Sequence, residues 1–439
     1  MKFTRIARKM TRATMTTGQF ITILALSTPA LSCNILDKGL QATAPDKIET
    51  AVLETPANAG LIVNSSIGNF ECALKAYIVD AGMASGEFMD ATATAADWPF
   101  DRRDTDPAAD VSYAVNDCVG LPLGIYTPIQ VARGTADRAL ELLQGWTDAQ
   151  VANRQDLIAK AAAYAGYSRI LLGEGFCEAA INLGPKLTSA QVFASAETMF
   201  NTAIAAAQTA NDQPILNMAY VGRARARLDQ GNGAGAAADA ALVPSGFVQN
   251  ARSETSPTIR QNRVQTFNQA GFISVGASYR NLTVTGSNGT TVPDTRVAVT
   301  DAAKPGTDNR TPLFIQAKYA NGTSAIPVAS YKEAQLIIAE VAGGQTAVTI
   351  INNLRAASGL PAFASTDPVA IAAEVTEARR RELFLEGQHL FDVRRLSLPL
   401  DPAAGIQYST VYPKGGTYGT ERCFPLPNVE ILNNPNIGP

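Results

Sequence analysis

Nine charged side chains of this chain fall within one stretch of twenty residues. Residues 377–396 read Glu-Ala-Arg-Arg-Arg-Glu-Leu-Phe-Leu-Glu-Gly-Gln-His-Leu-Phe-Asp-Val-Arg-Arg-Leu. Glu377 and Arg381 stand four apart in acid-first order, the favourable order for a helix pair. Asp392 stands among Arg380, Arg381, Arg394 and Arg395, with Leu383, Phe384, Leu390 and Phe391 interleaved. Charges so mixed with large apolar residues are partly buried and must pair with one another or with backbone carbonyls. The stretch reads as an ion-pair network built on Arg381, Glu382, Glu386, Asp392, Arg394 and Arg395, locking the C-terminus to the body. An anion site is the alternative that such arginine density allows.

A second set of candidates lies in residues 85–118. Asp90, Asp97, Asp101, Asp104, Asp106, Asp110 and Asp117 surround Trp98, Phe100 and Tyr113. Their spacing is not that of a calcium hand, which needs alternating acids and a glycine. A solvated acidic loop is the default reading; calcium and sugar contact are the alternatives. An aromatic face beside carboxylates suits a carbohydrate, because the ring stacks on the sugar and the acids accept its hydroxyls. Trp98, Asp97 and Tyr113 are therefore ligand candidates, while the other reading of a loop tryptophan, and the commoner one, is a packing plug. Tyr279 and Tyr319, with Phe267 and Phe272, are expected as exposed aromatics of a second polar stretch, and the two tyrosines are ligand candidates too.

Composition removes other chemistries. The 439 residues carry a net charge of −3, which argues against nucleic acid, and a single histidine, His389. Any Ser-His or Cys-His nucleophile would have to use that residue, and a zinc site would lack imidazole pairs. A glycosidase-type acid pair is left open. No catalytic residue and no metal ligand are assigned.

The elements that position these groups follow from periodicity. Apolar residues recur at helical spacing from Pro56 to about Asp90, and residues 121–243 read as successive helices. A long alanine-rich helix is expected from Gln150 to Leu172, ending in a turn at Gly173. Helices Phe193–Gln208, Pro214–Gln230 and Ala236–Leu242 then follow as tetratricopeptide-like hairpins. Residues 244–325 turn polar. Strands are expected at 281–285 and 296–300, joined through Ser287-Asn288-Gly289, with a further extended piece from Thr311. Helices return at Tyr331–Glu340 and Thr346–Ala357, and Asp367-Pro368 caps the helix that opens the charged stretch. The fold class is mainly α: helical hairpins forming a right-handed scaffold at about 121–243 and 326–396. Loops and short β-hairpins at about 85–118 and 244–325 make the ligand region.

Residues 1–33 read as a secretory signal with Lys2, Arg5, Arg8, Lys9 and Arg12 before a short apolar run. Ala30-Leu31-Ser32-Cys33 resembles a lipoprotein signal box, although the leucine stands two residues before the cysteine and not three. Lipidation of Cys33 is the reading, with a linker over 34–55; a cleaved signal that leaves Cys33 as a disulfide partner is the alternative. For Cys72, Cys118, Cys177 and Cys423, one or two disulfides and free thiols both stay open.

The C-terminal stretch resembles the signature of the SusD/RagB family. The matching residues are Arg381-Glu382-Leu383, Glu386-Gly387, Phe391-Asp392, Arg394-Arg395, and the tail Phe424-Pro425-Leu426-Pro427 with Glu430 and Asn434-Pro435. The resemblance implies one SusD-like domain over 56–439, on a lipid-anchored protein facing outward from the outer membrane. It also implies capture of an oligomeric nutrient, most often a glycan, for a SusC-like TonB-dependent transporter, without enzyme chemistry or a cofactor. The alternative is a helical-repeat adaptor that assembles surface complexes without binding a ligand.

Overall fold

The structure is a computed structural model and describes residues 50–409 and 414–437. The signal, Cys33 and most of the linker lie outside the described residues. Those from Ala51 onward belong to one compact unit.

The body is a succession of helices, each packed on the next. It opens with α1 (Ala59–Ala84), whose second half is buried on every side. Helices α2 (Tyr126–Gly145), α3 (Arg154–Gly175), α4 (Ser189–Ala210), α5 (Gln213–Asp229) and α6 (Gly233–Ala240) follow. After the short α7 (Arg263–Ala270), the series resumes with α8 (Tyr331–Ala342), α9 (Gly344–Ala357), α10 (Pro368–Glu382) and α11 (His389–Arg395). Helix α3 packs against α2, α4 and α1, and α6 carries the series across to α8.

Local sequence explains the starts. Thr188 and Gln191 form a reciprocal capping box ahead of α4. Asp212 and Asp367 cap α5 and α10, each with proline in the first turn. Small residues let the helices approach: Ala159, Ala162, Ala163, Ala203 and Ala207 are fully buried.

One boundary differs from expectation. Helix α3 does not end at Gly173 but runs on to Gly175. Gly173 gives room rather than a turn: a Cβ there would lie 2.5 Å from the Phe193 ring of α4. A glycine kept for close approach carries the same letter as a glycine kept for a turn.

Besides a two-residue antiparallel ladder of Glu178–Ala179 with Leu187–Thr188, eight strands among the described residues pair two by two. They are β1 (Phe88–Asp90), β2 (Val248–Ala251), β3 (Ile273–Val275), β4 (Thr283–Thr285), β5 (Thr291–Pro293), β6 (Val299–Pro305), β7 (Pro312–Gln316) and β8 (Ile326–Ser330). β1 pairs with β3, β2 with β8, β4 with β5 and β6 with β7, all antiparallel. The hairpin around Ser287-Asn288-Gly289 forms, but its second strand is β5 and not 296–300. Asp294 there caps a single 3₁₀ turn, Thr295–Val297, which interrupts the run before β6.

Both disulfides form, Cys72–Cys118 and Cys177–Cys423. The first ties α1 to the loop before α2, and the second ties the end of α3 to the C-terminal segment. Among the described residues, no helix is long and apolar enough to cross a membrane.

Candidate functional site

The charged stretch folds as a hub. Asp392 accepts from the Arg379 guanidinium at 3.1 Å and pairs with Arg395 at 2.7 Å. Burial opposes its charge, yet the two arginines outweigh that and hold its carboxyl down at about 2. Arg381 bridges Asp294 at 2.8 Å and Glu377 within its own helix. Glu382 receives Arg296 at 3.2 Å and Lys332 at 3.0 Å, and Glu386 receives Lys318 at 2.6 Å. Arg394 donates to the backbone carbonyls of Phe176 and Gly173. These guanidinium groups are bound to carboxylates or carbonyls of the chain itself, which leaves no open anion cradle among them. His389, packed edge-on to Tyr279, is pushed down to about 4 by burial, so it is neutral near pH 7. Arg379, the innermost partner of Asp392, was not singled out in sequence. It stands thirteen residues from the aspartate, beyond helical reach.

The five aromatic and acidic candidates all lie inside. Trp98 is 7% exposed and donates its indole N–H to the Thr92 carbonyl at 3.3 Å. Asp97 beside it is buried; desolvation first, then the charge of Asp90, pushes its carboxyl up to about 7. Tyr113 is enclosed by Phe100, Phe176 and Phe424 and donates to the Pro425 carbonyl at 3.2 Å. Tyr279 stacks on Phe384 at 4.9 Å with the Arg380 guanidinium 4.5 Å over its ring. Tyr319 donates to the Leu385 carbonyl at 2.9 Å. The structure thus brings Tyr279 and Tyr319 together under residues 384–385, and Trp98 beside Asp97 in another place. None of the four rings among them offers a free face, and Phe267 is buried as well.

The acidic loop is likewise not solvated throughout. Asp90, Asp97 and Asp101 are buried, and Lys414 bridges Asp90 to Asp308. The short helix Trp98–Arg102 folds these acids inward by burying Trp98 and Phe100. Among the described residues, no group of three or more His, Cys, Asp or Glu side chains is placed to hold a metal ion.

An open cavity of about 540 Å³ lies where β2, β8, α8 and α9 meet. That volume is in the range of small-molecule sites. Phe247 and Tyr331, both half-buried, supply aromatic surface to it. The Tyr331 amide donates to the Phe247 carbonyl at 2.8 Å, which holds the two residues side by side. Ser330 begins α8 by accepting from the Glu333 amide at 3.1 Å. Gln335, Asn353 and Ser245 add amide and hydroxyl groups. The two charged residues of the lining, Lys332 and Glu386, are already held by Glu382 and Lys318. The cavity therefore offers two ring surfaces and neutral hydrogen-bonding groups, which is chemistry for a neutral polyhydroxyl ligand. Sequence placed Tyr331 and Gln335 on a helix stripe and passed over Phe247. The only local signal was its position after Pro244-Ser245-Gly246.

A helical scaffold with β-hairpin inserts and a side cavity defines the class: a fold of packed helical hairpins. The family model described as the SusD family matches residues 316–437, which contain α8 to α11 and the hub. No curated protein matches the chain. The solved structures agree on the fold. A SusD superfamily protein from Bacteroides vulgatus ATCC 8482 superposes with a TM-score of 0.64 at 15% identity, over 88% of this chain and 98% of that one. A SusD-like protein from Bacteroides fragilis NCTC 9343 gives 0.65 at 12%, over 89% and 98%. Surface glycan-binding protein A from Bacteroides uniformis gives 0.57 at 16%, over 86% and 98%. The chain carries the SusD-family C-terminal region on a SusD-like fold.

Proposed function

We propose that the chain is a surface-exposed capture protein, lipid-anchored through Cys33 in the outer membrane. It holds an oligomeric nutrient, in the first place a glycan, and delivers it to a partner TonB-dependent transporter. Capture is by stacking and hydrogen bonding, and no bond in the ligand is broken. The carrying observation is the cavity of about 540 Å³ in which Phe247 and Tyr331 line one site and every charge of the lining is already paired. A neutral sugar enters such a site without leaving an uncompensated charge. The SusD-like fold and the glycan-binding name of the Bacteroides uniformis protein support the same reading.

Affinity electrophoresis against immobilised neutral polysaccharides tests it. Retardation by at least one glycan, lost in Phe247→Ala/Tyr331→Ala, is the expected result. Migration unchanged in every gel while the transporter is still captured would favour the adaptor.

A further inference from the structure

A second cavity, of about 310 Å³, opens at the far end of β2. It is lined by Glu71 of α1, Tyr164 of α3, and Asn250 and Arg252 at the end of the strand. The two cavities are lined by neighbouring residues of the β2–β8 ladder. Asn250 lines the second and Pro327 lines the first, and the two are paired directly across the strands. Directly opposed residues share one face, with side chains about 5 Å apart. A bulge between Pro327 and Ala329 breaks the ladder beside them. Along β2, Val248 and Asn250 stand two residues apart and are both exposed, so they face the same way.

The second cavity has an exposed guanidinium, which the first lacks. Arg252 keeps 61% of its side chain exposed while its guanidinium rests 3.5 Å from Glu71. Arg260 already takes the other oxygen of Glu71, at 2.7 Å. The Arg252 amide donates to Glu71 at 2.9 Å, so the backbone is fixed while the outer N–H groups of the side chain point to solvent.

We infer that the two cavities are subsites of one groove across the β2–β8 face, which takes a linear oligosaccharide stacked on Phe247 and Tyr331 at one end and hydrogen-bonded by Asn250 and Arg252 at the other. This rests on the capture reading and adds the length of the ligand to it. A short sugar fills only the aromatic end. A longer chain reaches the second cavity as an intramolecular event and gains affinity from it.

Titration calorimetry with gluco-, xylo- and manno-oligosaccharides of two to eight residues tests this on the wild type, Asn250→Ala/Arg252→Ala and Phe247→Ala/Tyr331→Ala. Both double variants are checked for a native circular dichroism spectrum. Wild-type affinity is expected to rise at least tenfold from the disaccharide to the longest bound chain. Asn250→Ala/Arg252→Ala should erase that rise and leave the disaccharide affinity unchanged, whereas Phe247→Ala/Tyr331→Ala should abolish both. A rise with length that survives Asn250→Ala/Arg252→Ala overturns the groove and leaves capture standing. Absence of binding to any sugar overturns both, as does a peptide that occupies β2 in place of sugar.

Discussion

Arg394 of α11 donates to the carbonyl of Gly173 at 2.6 Å across 221 residues of sequence. It also reaches the Phe176 carbonyl at 3.0 Å and the Ser189 hydroxyl at 2.8 Å. One guanidinium thus satisfies a carbonyl in the last turn of α3, which lacks a helical partner, and ties it to the side chain of the first residue of α4. Arg394→Ala leaves those carbonyls unsatisfied in a packed site and is expected to cost about 2–4 kcal/mol. Arg394→Lys should recover part of this, since an ammonium cannot span three acceptors with the same fork. Urea unfolding of the three proteins checks the order wild type, Lys, Ala; equal midpoints would remove the anchoring role.

Two helix glycines with opposite surroundings make a paired prediction. A Cβ on Gly166 of α3 would sit 2.7 Å from the Phe200 ring, while Gly134 of α2 has nothing within 4 Å. Gly166→Ala overpacks the α3–α4 contact and should destabilise by about 1–3 kcal/mol. Gly134→Ala gains only helix propensity and should stabilise by about 0.5–1 kcal/mol. Thermal melts of both variants on either side of the wild type are the expected outcome.

The buried acids set opposite pH dependences. Burial pushes Asp101 up to about 7, although the Asp90 amide donates to it at 2.8 Å. Between about 4 and 7 the folded chain then binds more protons at this position than the unfolded chain, so stability falls as pH rises. Asp101→Asn keeps an acceptor and removes the ionisation. It should raise stability at pH 8, by up to about 4 kcal/mol, and flatten the slope between pH 4 and 7. Asp392 does the reverse. Its carboxyl is held down at about 2, so its contribution is full above about pH 4 and is lost as pH falls towards 2. Asp392→Asn should therefore destabilise strongly at pH 7 and much less near pH 2, as read by denaturant midpoints across pH.

What sequence made legible is local. The Asp367-Pro368 start, the periodic 331–340 helix and the Gly387 break are each written within a few residues, and the structure has all three. The order of helices in the scaffold followed from the same signals. The misses are decided at long range. Asp90, Asp97 and Asp101 looked like solvated acids because Lys414, their shared counter-charge region, lies more than 300 residues on. Tyr279 and Tyr319 looked exposed because the residues that cover them, Phe384 and Leu385, belong to another segment. The cavity was invisible for the same reason: only the β2–β8 pairing sets Phe247 against Tyr331.

The Cys177–Cys423 disulfide closes the longest covalent loop among the described residues, with a sequence separation of 246. Backbone bonds flank it: the Phe424 amide donates to the Gly175 carbonyl at 2.8 Å, and the Cys177 amide to the Phe424 carbonyl at 2.9 Å. Constraint of so long a loop in the unfolded chain corresponds to about 5–6 kcal/mol in the chain-entropy picture. Cys177→Ser/Cys423→Ser should lower the unfolding midpoint accordingly, and reductant should then move it only by the amount due to Cys72–Cys118. Because Arg394 grips the carbonyl of Phe176, next to Cys177, the arginine and the disulfide hold the same joint. Losing either frees the segment that the other restrains, so the combined variant Cys177→Ser/Cys423→Ser/Arg394→Ala should differ from the sum of its parts by more than about 0.5 kcal/mol. Strict additivity in that double-mutant cycle would mean that the C-terminal segment is held at two independent points.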